Sequence, residues 1–262
     1  MLSEPVRTIP IVRRNATEKT RVNDTVAVEE PLEIRIEESP LAVTMRTPGQ
    51  DRDLVIGFLL TEGILLAPNE LNSIRSLNDS VLTVQLAQGV TVDTARFQRN
   101  MFISSSCGVC GKASIEAVQL VAAPCKEFKV NHGVIRQLTR VLRDHQPTFD
   151  ATGGLHAAAL FDLTGELITV REDVGRHNAV DKAIGAAVTT AWPLPPCLLV
   201  VSGRQSFEIV QKAAMTGIGG VVGVSAPSSL AVDLAESLGL LLVGFSRGDT
   251  FNIYAGEHHL AD

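Results

Sequence analysis

From about residue 131 onward, short all-apolar runs alternate with longer amphipathic stretches, and this alternation restricts the fold more than any other feature of the chain. Leu198 to Val201, Val221 to Val224 and Leu240 to Phe245 read as strands, while Phe207 to Met215 and Leu230 to Leu238 between them carry helical periodicity. A last strand is expected near Phe251 to Tyr254. Successive strand–helix units require a mixed or parallel sheet with both faces covered, so the expected class is α/β. Ahead of them, Asn131 is placed to cap a helix whose stripe is Val134, Leu138, Val141 and Leu142. Leu155 to Phe161 and Glu166 to Val170 read as an antiparallel pair joined at Leu163-Thr164-Gly165. Ala179, Val180, Ala183, Ile184 and Ala187 then form a helical face, closed by Pro193 to Pro196.

The first half has a different texture. Residues 1 to 20 are polar and read as an irregular arm. Val22 to Val28, Leu32 to Ile36 and Leu41 to Met45 are short strands broken by Pro31 and Pro40. Leu54, Val55, Phe58 and Leu59 predict a helix over Asp51 to Thr61 that Gly63 can stop. Val81 to Leu86 and Val90 to Thr94 suggest a hairpin turning at Gln88-Gly89. The expected organisation is therefore an arm over residues 1–20, a β-rich domain over 21–103, a loop and connecting helix over 104–130, and an α/β domain over 131–262. Overall the chain would be α+β, with the smaller domain first.

Charge and composition exclude several functions. The net charge of −6 argues against nucleic acid as a partner, and aromatics, at 4% of the chain, are too few to build base-stacking platforms. No apolar run approaches the roughly 18 residues of a membrane span. Arg13-Arg14 is followed by Asn15, Thr17, Glu18 and Lys19 where an export signal needs an apolar run, so the cytoplasm is the expected compartment.

Chemistry is concentrated in a few segments. Cys107 and Cys110 flank Gly108-Val109 in a small-residue stretch, with Lys112 and a helix expected over Ala113 to Val121, a setting that favours a thiolate. Such a pair suits sulfur exchange; half a zinc site or two idle thiols are the other readings. Cys125 and Cys197 lie in apolar surroundings and read as core. The run Arg171-Glu172-Asp173-Val174-Gly175-Arg176-His177-Asn178-Ala179-Val180-Asp181-Lys182 falls where a strand hands over to a helix. It is either a ligand site at a strand end or a solvated helix cap. His156, after Thr152-Gly153-Gly154-Leu155, is a ligand candidate or a packed core group. Ser202 to Ser206 and Phe245-Ser246-Arg247-Gly248-Asp249-Thr250 are polar turns after buried strands, suited to holding phosphate or serving as plain connections.

Taken in order, Ser-Cys-Gly-Val-Cys-Gly at 106–111, Thr-Gly-Gly-Leu-His-Ala at 152–157, the twelve residues 171–182 and Ser-Phe-Glu-Ile-Val-Gln-Lys-Ala at 206–213 resemble the formate dehydrogenase accessory sulfurtransferase family, FdhD, from about residue 20 onward. The resemblance implies an enzyme that carries persulfide sulfur from a cysteine desulfurase to the molybdenum cofactor, a bis-molybdopterin guanine dinucleotide bound as substrate and cargo, for formate dehydrogenase. It implies Cys107 as carrier, Cys110 as its assistant and Phe245, Ser246, Arg247, Gly248, Asp249 and Thr250 as the cofactor segment, with no permanently bound metal. A homodimer is expected. Rival readings are a non-catalytic chaperone for the cofactor and a thiol-disulfide oxidoreductase.

The family's larger domain is similar to the cytidine deaminase fold. Zinc-deaminase chemistry needs His-x-Glu followed downstream by Pro-Cys-x-x-Cys, whereas His156 is followed by Ala157-Ala158 and the Cys-x-x-Cys lies upstream. Deamination is therefore not expected.

Overall fold

The computed structural model describes residues 4–93, 115–116, 118–119 and 121–261. Strands β1 (Val6–Arg14) and β2 (Lys19–Ala27) form a long antiparallel ribbon. This corrects the reading of residues 1–20 as an irregular arm. Both faces of the ribbon are largely solvated, so its strands lack the buried alternate positions that make period two visible in a sequence. At its tip, the Asn15 side chain accepts hydrogen bonds from the Thr17 and Glu18 amides at 3.0 and 2.7 Å, closing the turn.

β3 (Glu30–Ile36), β4 (Ser39–Arg46), β5 (Leu71–Asn78) and β6 (Val81–Leu86) make a four-stranded sheet in the order β4-β3-β6-β5, with α1 (Asp51–Thr61) inserted after β4. Here too the sequence reading needs correction. β6 turns back onto β5 through Asp79-Ser80, and residues 90–93 form no strand, because β3 already pairs in parallel with the other edge of β6.

The second half follows the expected pattern. β7 (Val130–Asn131) leads into α2 (His132–Asp144), whose cap is Asn131: its side chain accepts a bond from the Gly133 amide at 2.7 Å. Then come α3 (Pro147–Thr152), β8 (His156–Asp162), β9 (Leu167–Asp173), α4 (Arg176–Val188), β10 (Cys197–Val201) and α5 (Phe207–Met215). β11 (Gly220–Gly223), α6 (Ser229–Leu238), β12 (Leu241–Arg247), β13 (Thr250–Ala255) and β14 (Leu260–Ala261) complete the chain. The main sheet runs β13-β12-β11-β10-β8-β9. β10, β11 and β12 are parallel, and the β8–β9 hairpin and β13 are antiparallel additions at its two sides.

Both faces of this sheet are covered, which is why its strands read as unbroken apolar runs. Ala157, Ala159, Phe161, Leu198, Val200, Leu241 and Val243 pack with Ile135, Leu138 and Leu142 of α2. Their neighbours Ala158, Leu160, Leu199, Val201 and Leu242 face the other way, toward α4, α5 and α6. That second cluster also contains Leu32, Ile34, Leu54, Leu59 and Val84 from the first half of the chain. The boundary expected between a β-rich and an α/β domain thus runs through one shared core.

The seam is a helix crossing. A side chain at Gly57 would place its Cβ 1.8 Å from the Asp181 carbonyl oxygen, and one at Gly185 would stand 1.9 Å from that of Asp53, so α1 and α4 meet backbone to backbone. Around this crossing lies a buried polar network. Lys182 Nζ reaches Asp173 at 2.7 Å and the Thr47 carbonyl at 2.8 Å, and Lys212 Nζ reaches Asp181 at 3.0 Å, Glu62 at 2.6 Å and Thr61 at 3.0 Å. No helix of the described residues is long and apolar enough to cross a membrane.

Candidate functional site

Parallel strands leave their carboxyl ends, and the turns that follow them, on one edge of a sheet, where open α/β sheets place ligands. A cavity of about 580 Å³ lies at that edge. The turns after β10 and β11 supply Ser202 and Val224 to its lining, and the last residues of β12 supply Ser246 and Arg247. Gly153 to His156 come from the adjoining start of β8, which runs antiparallel to β10, and Leu142, Arg143, Gln146 and Phe149 come from α2 and α3.

Two segments singled out in the sequence therefore meet here although about 90 residues separate them. The turn after β10 is tied to β8 on both sides: the Ala157 amide donates to Ser202 Oγ at 2.9 Å, and the Ser202 amide to the Ala157 carbonyl at 3.0 Å. The β12 end is shaped by a bulge. Gly244 pairs with Asn252 and Arg247 with Thr250, so Phe245 and Ser246 together oppose Phe251 alone. Phe245 consequently takes a left-handed φ of 51°, rare for an aromatic residue, and its ring stands 37% exposed. Ser246 turns inward to 1% exposure, with its hydroxyl lacking a hydrogen-bond partner. Arg247 donates through Nε to the Val224 carbonyl at 2.9 Å and lies 5.6 Å from the centre of the Phe245 ring.

Of the six-residue segment expected to bind a cofactor, Ser246 and Arg247 line the cavity. Phe245, Gly248, Asp249 and Thr250 are not in its wall; Gly248, at φ 55°, and Asp249 form the exposed turn into β13, which Thr250 begins. Cys107 and Cys110 lie outside the described residues, as does most of the helix expected over Ala113 to Val121. Cys197 is buried in the core, which pushes its thiol up to about 12, and partial burial also raises that of Cys125.

The twelve-residue polar run turns out to divide its work. Arg171 pairs with Asp53 at 2.8 Å, and the Glu172 carboxylate accepts from the first amides of α3. Asp173 binds Lys182 and the Thr47 and Gly175 amides, while Asn178 donates to the Met45 carbonyl. Asp181 joins Lys212. Apart from Glu172, which binds α3, these residues tie the two halves of the chain together and are not a solvated cap. Arg176 and His177 remain at the strand-end edge. His177 Nε2 lies 3.4 Å from Ser206 Oγ, and burial, with the charges of Lys212 and Arg176, lowers its imidazole to about 4. His156 is lowered as well, by partial burial first and then by the charges of Arg176 and Arg204, so the ring facing the cavity is neutral at pH 7.

Sequence reasoning missed the α2 and α3 contribution. Arg143 and Gln146 look like ordinary solvated helix-end residues, and only the packing of α2 over the sheet brings them to the cavity. Among the described residues, no group of three or more His, Cys, Asp or Glu side chains gathers as a metal site.

Comparison with known proteins is consistent along the whole chain. The model of the FdhD/NarQ family matches residues 27–261. A "Sulfur carrier protein FdhD" of Streptomyces avermitilis is 50% identical over 252 residues, covering 91% of this chain and 89% of the relative. One from Sulfolobus acidocaldarius is 44% identical over 250 residues, covering 95% and 96%. The crystal structure of a candidate formate dehydrogenase accessory protein from Desulfotalea psychrophila superimposes with a TM-score of 0.80 at 23% identity, covering 98% of this chain and 99% of that one, and so shares its fold.

Proposed function

The chain belongs to the FdhD/NarQ family, and from that membership we propose that it is a sulfur carrier serving formate dehydrogenase. The observation that carries the reading is end-to-end similarity, at about half of all positions, to proteins named as sulfur carriers, in a chain that holds one Cys-x-x-Cys pair. In this reading the Cys107 thiolate attacks the outer sulfur of a persulfide on a cysteine desulfurase. The desulfurase cysteine leaves as thiolate, and Cys107 keeps the sulfur as its own persulfide. Cys110 assists or resolves. The acceptor is the molybdenum cofactor, a bis-molybdopterin guanine dinucleotide, which is substrate and cargo.

The strand-end cavity supports the second half of the proposal. Its size suits one nucleotide arm of such a molecule. Ser246 offers an unpartnered hydroxyl and Arg247 a cation already aligned by Phe245 and Val224. We read the sheet, an antiparallel hairpin followed by parallel strand–helix units, as a cytidine deaminase-like scaffold adapted to hold a purine base without deaminating it. A homodimer acting in the cytoplasm completes the proposal.

The test is intact-protein mass after incubation with a cysteine desulfurase and cysteine. A reducible gain of about 32 Da, one sulfur, is expected on the wild type and on Cys110→Ala and absent from Cys107→Ala. No gain on any form would withdraw sulfur carriage in favour of a cofactor chaperone. Turnover of insulin disulfides that requires both cysteines would favour a thiol-disulfide oxidoreductase instead.

A further inference from the structure

The β1–β2 ribbon forms a sheet of its own, and among the described residues neither of its outer edges has a strand partner. Side chains alternate between its two faces. The register sets Ile11 opposite Val22 and gathers Ile9, Ile11, Val22 and Val26 on one face, where each remains partly exposed. Toward the tip, the other face carries Val12, 51% exposed, together with Arg14, Lys19 and Arg21. Arg14 stands directly opposite Lys19, an arrangement in which like charges repel. None of these three cations forms an ion pair among the described residues.

A lone two-stranded ribbon is marginally stable in water. Its root is anchored, since α3 packs against β2 and Gly154 lies beside Ala27. What covers the remainder has to be present whenever the chain is folded, a condition met by a second copy and not by a passing client. Charge points the same way. Residues 6–27 hold five of the 23 Lys and Arg and two of the 29 Asp and Glu, a net +3, and the rest of the chain keeps 18 against 27, a net −9. A ribbon tip therefore meets opposite charge on the body of another copy and like charge on its tip. The area is sufficient. Nine residues at about 3.3 Å each make an arm about 30 Å long, two strands make it about 10 Å wide, and one face offers about 300 Å². Two arms, each covering an equal area of the opposite copy, bury about 1,200 Å², the lower end of a stable interface.

We propose that the β1–β2 ribbon is a dimerisation arm: its apolar face seats on a second copy of this chain, and Arg14, Lys19 and Arg21 meet carboxylates of that copy's body. The inference deepens the homodimer of the proposed function, on which it rests, by naming the surface that forms it. Two-fold symmetry makes the exchange reciprocal, each copy giving one arm and receiving one.

Sedimentation equilibrium of the full chain tests this. The wild type should be a dimer whose dissociation constant rises with salt. Arg14→Glu combined with Arg21→Glu should raise that constant about tenfold or more, since symmetry applies each change twice, whereas Arg14→Lys with Arg21→Lys should leave it within about twofold. Ile11→Ser, which thins the apolar face without touching a charge, should weaken the dimer as well. Far-ultraviolet circular dichroism should stay unchanged in every variant, and the reducible gain of about 32 Da on Cys107 should persist, so that the arm and sulfur carriage are tested apart. A wild-type dimer that the two glutamates and Ile11→Ser leave within twofold would keep the homodimer and overturn the arm. A monomeric wild type would overturn both, even where the desulfurase or formate dehydrogenase binds the ribbon.

Discussion

Lys212 shows how a single buried charge is made tolerable. Its side chain is 4% exposed, yet Nζ has Asp181, Glu62 and Thr61 within 3.0 Å, and these contacts outweigh burial and keep the amine protonated. Asp181 bears the cost. Burial, only partly offset by Lys212, raises its carboxyl to about 6. Lys212→Met should therefore destabilise the protein by about 3–5 kcal/mol at pH 7, since it leaves Asp181 buried without its cation. The sign of the pH dependence follows. With the folded Asp181 titrating above its unfolded value, the folded state takes up the proton first, so stability of the variant should recover as pH falls from 7 toward 5. Denaturant melts at the two pH values check this; an equal loss at both would mean that Asp181 is not the group left stranded.

At the scale of elements, the α1–α4 crossing brings two helix backbones into direct contact, and two glycines make it possible. A methyl at Gly185 would have to displace the Asp53 carbonyl, a backbone atom that cannot swing aside. Gly185→Ala should cost about 1–3 kcal/mol by overpacking, against a few tenths for an alanine on the solvated face of a helix. A thermal melt no more than a degree below wild type would show that the helices separate freely. The β1–β2 ribbon is the opposite case, an element with little buried surface. Only its second strand was legible, as Val22 to Val28; the strand character of residues 6–14 was not, because Arg7, Arg13 and Arg14 interrupt the apolar positions and no packed face imposes alternation. The all-apolar runs of β10 and β12 were legible for the converse reason: burial on both faces permits nothing else.

For the whole molecule, the core decides how many folding units there are. Leu54 and Leu59 of α1 pack in one cluster with Ile184 of α4 and Leu199 of β10, and Thr61 hydrogen-bonds Asp181 at 2.7 Å across the same seam. The full chain should melt in a single calorimetric transition with the van't Hoff and calorimetric enthalpies equal. A fragment beginning at residue 131 should lack cooperative unfolding, because α4 would expose its apolar face and Asp181 and Lys212 would lose Thr61 and Glu62. Two separate transitions, or a cooperatively folding fragment, would restore the two-domain reading.

The sequence by itself determined the layered α/β class, the capped helix at Asn131, the β8–β9 hairpin and the family, because each is written in local periodicity, a turn residue or an ordered motif. It also marked His156, Ser202 to Ser206, Ser246 and Arg247 as worth attention. Only the tertiary structure decided that His156, Ser202, Ser246 and Arg247 meet in one cavity, that much of residues 171–182 binds the two halves together, and that Arg143 and Gln146 share the site. The physical reason is range. Propensity and capping act over a few residues, whereas a cavity wall and a buried ion pair are settled by which strand edges and helix faces the completed core brings into contact.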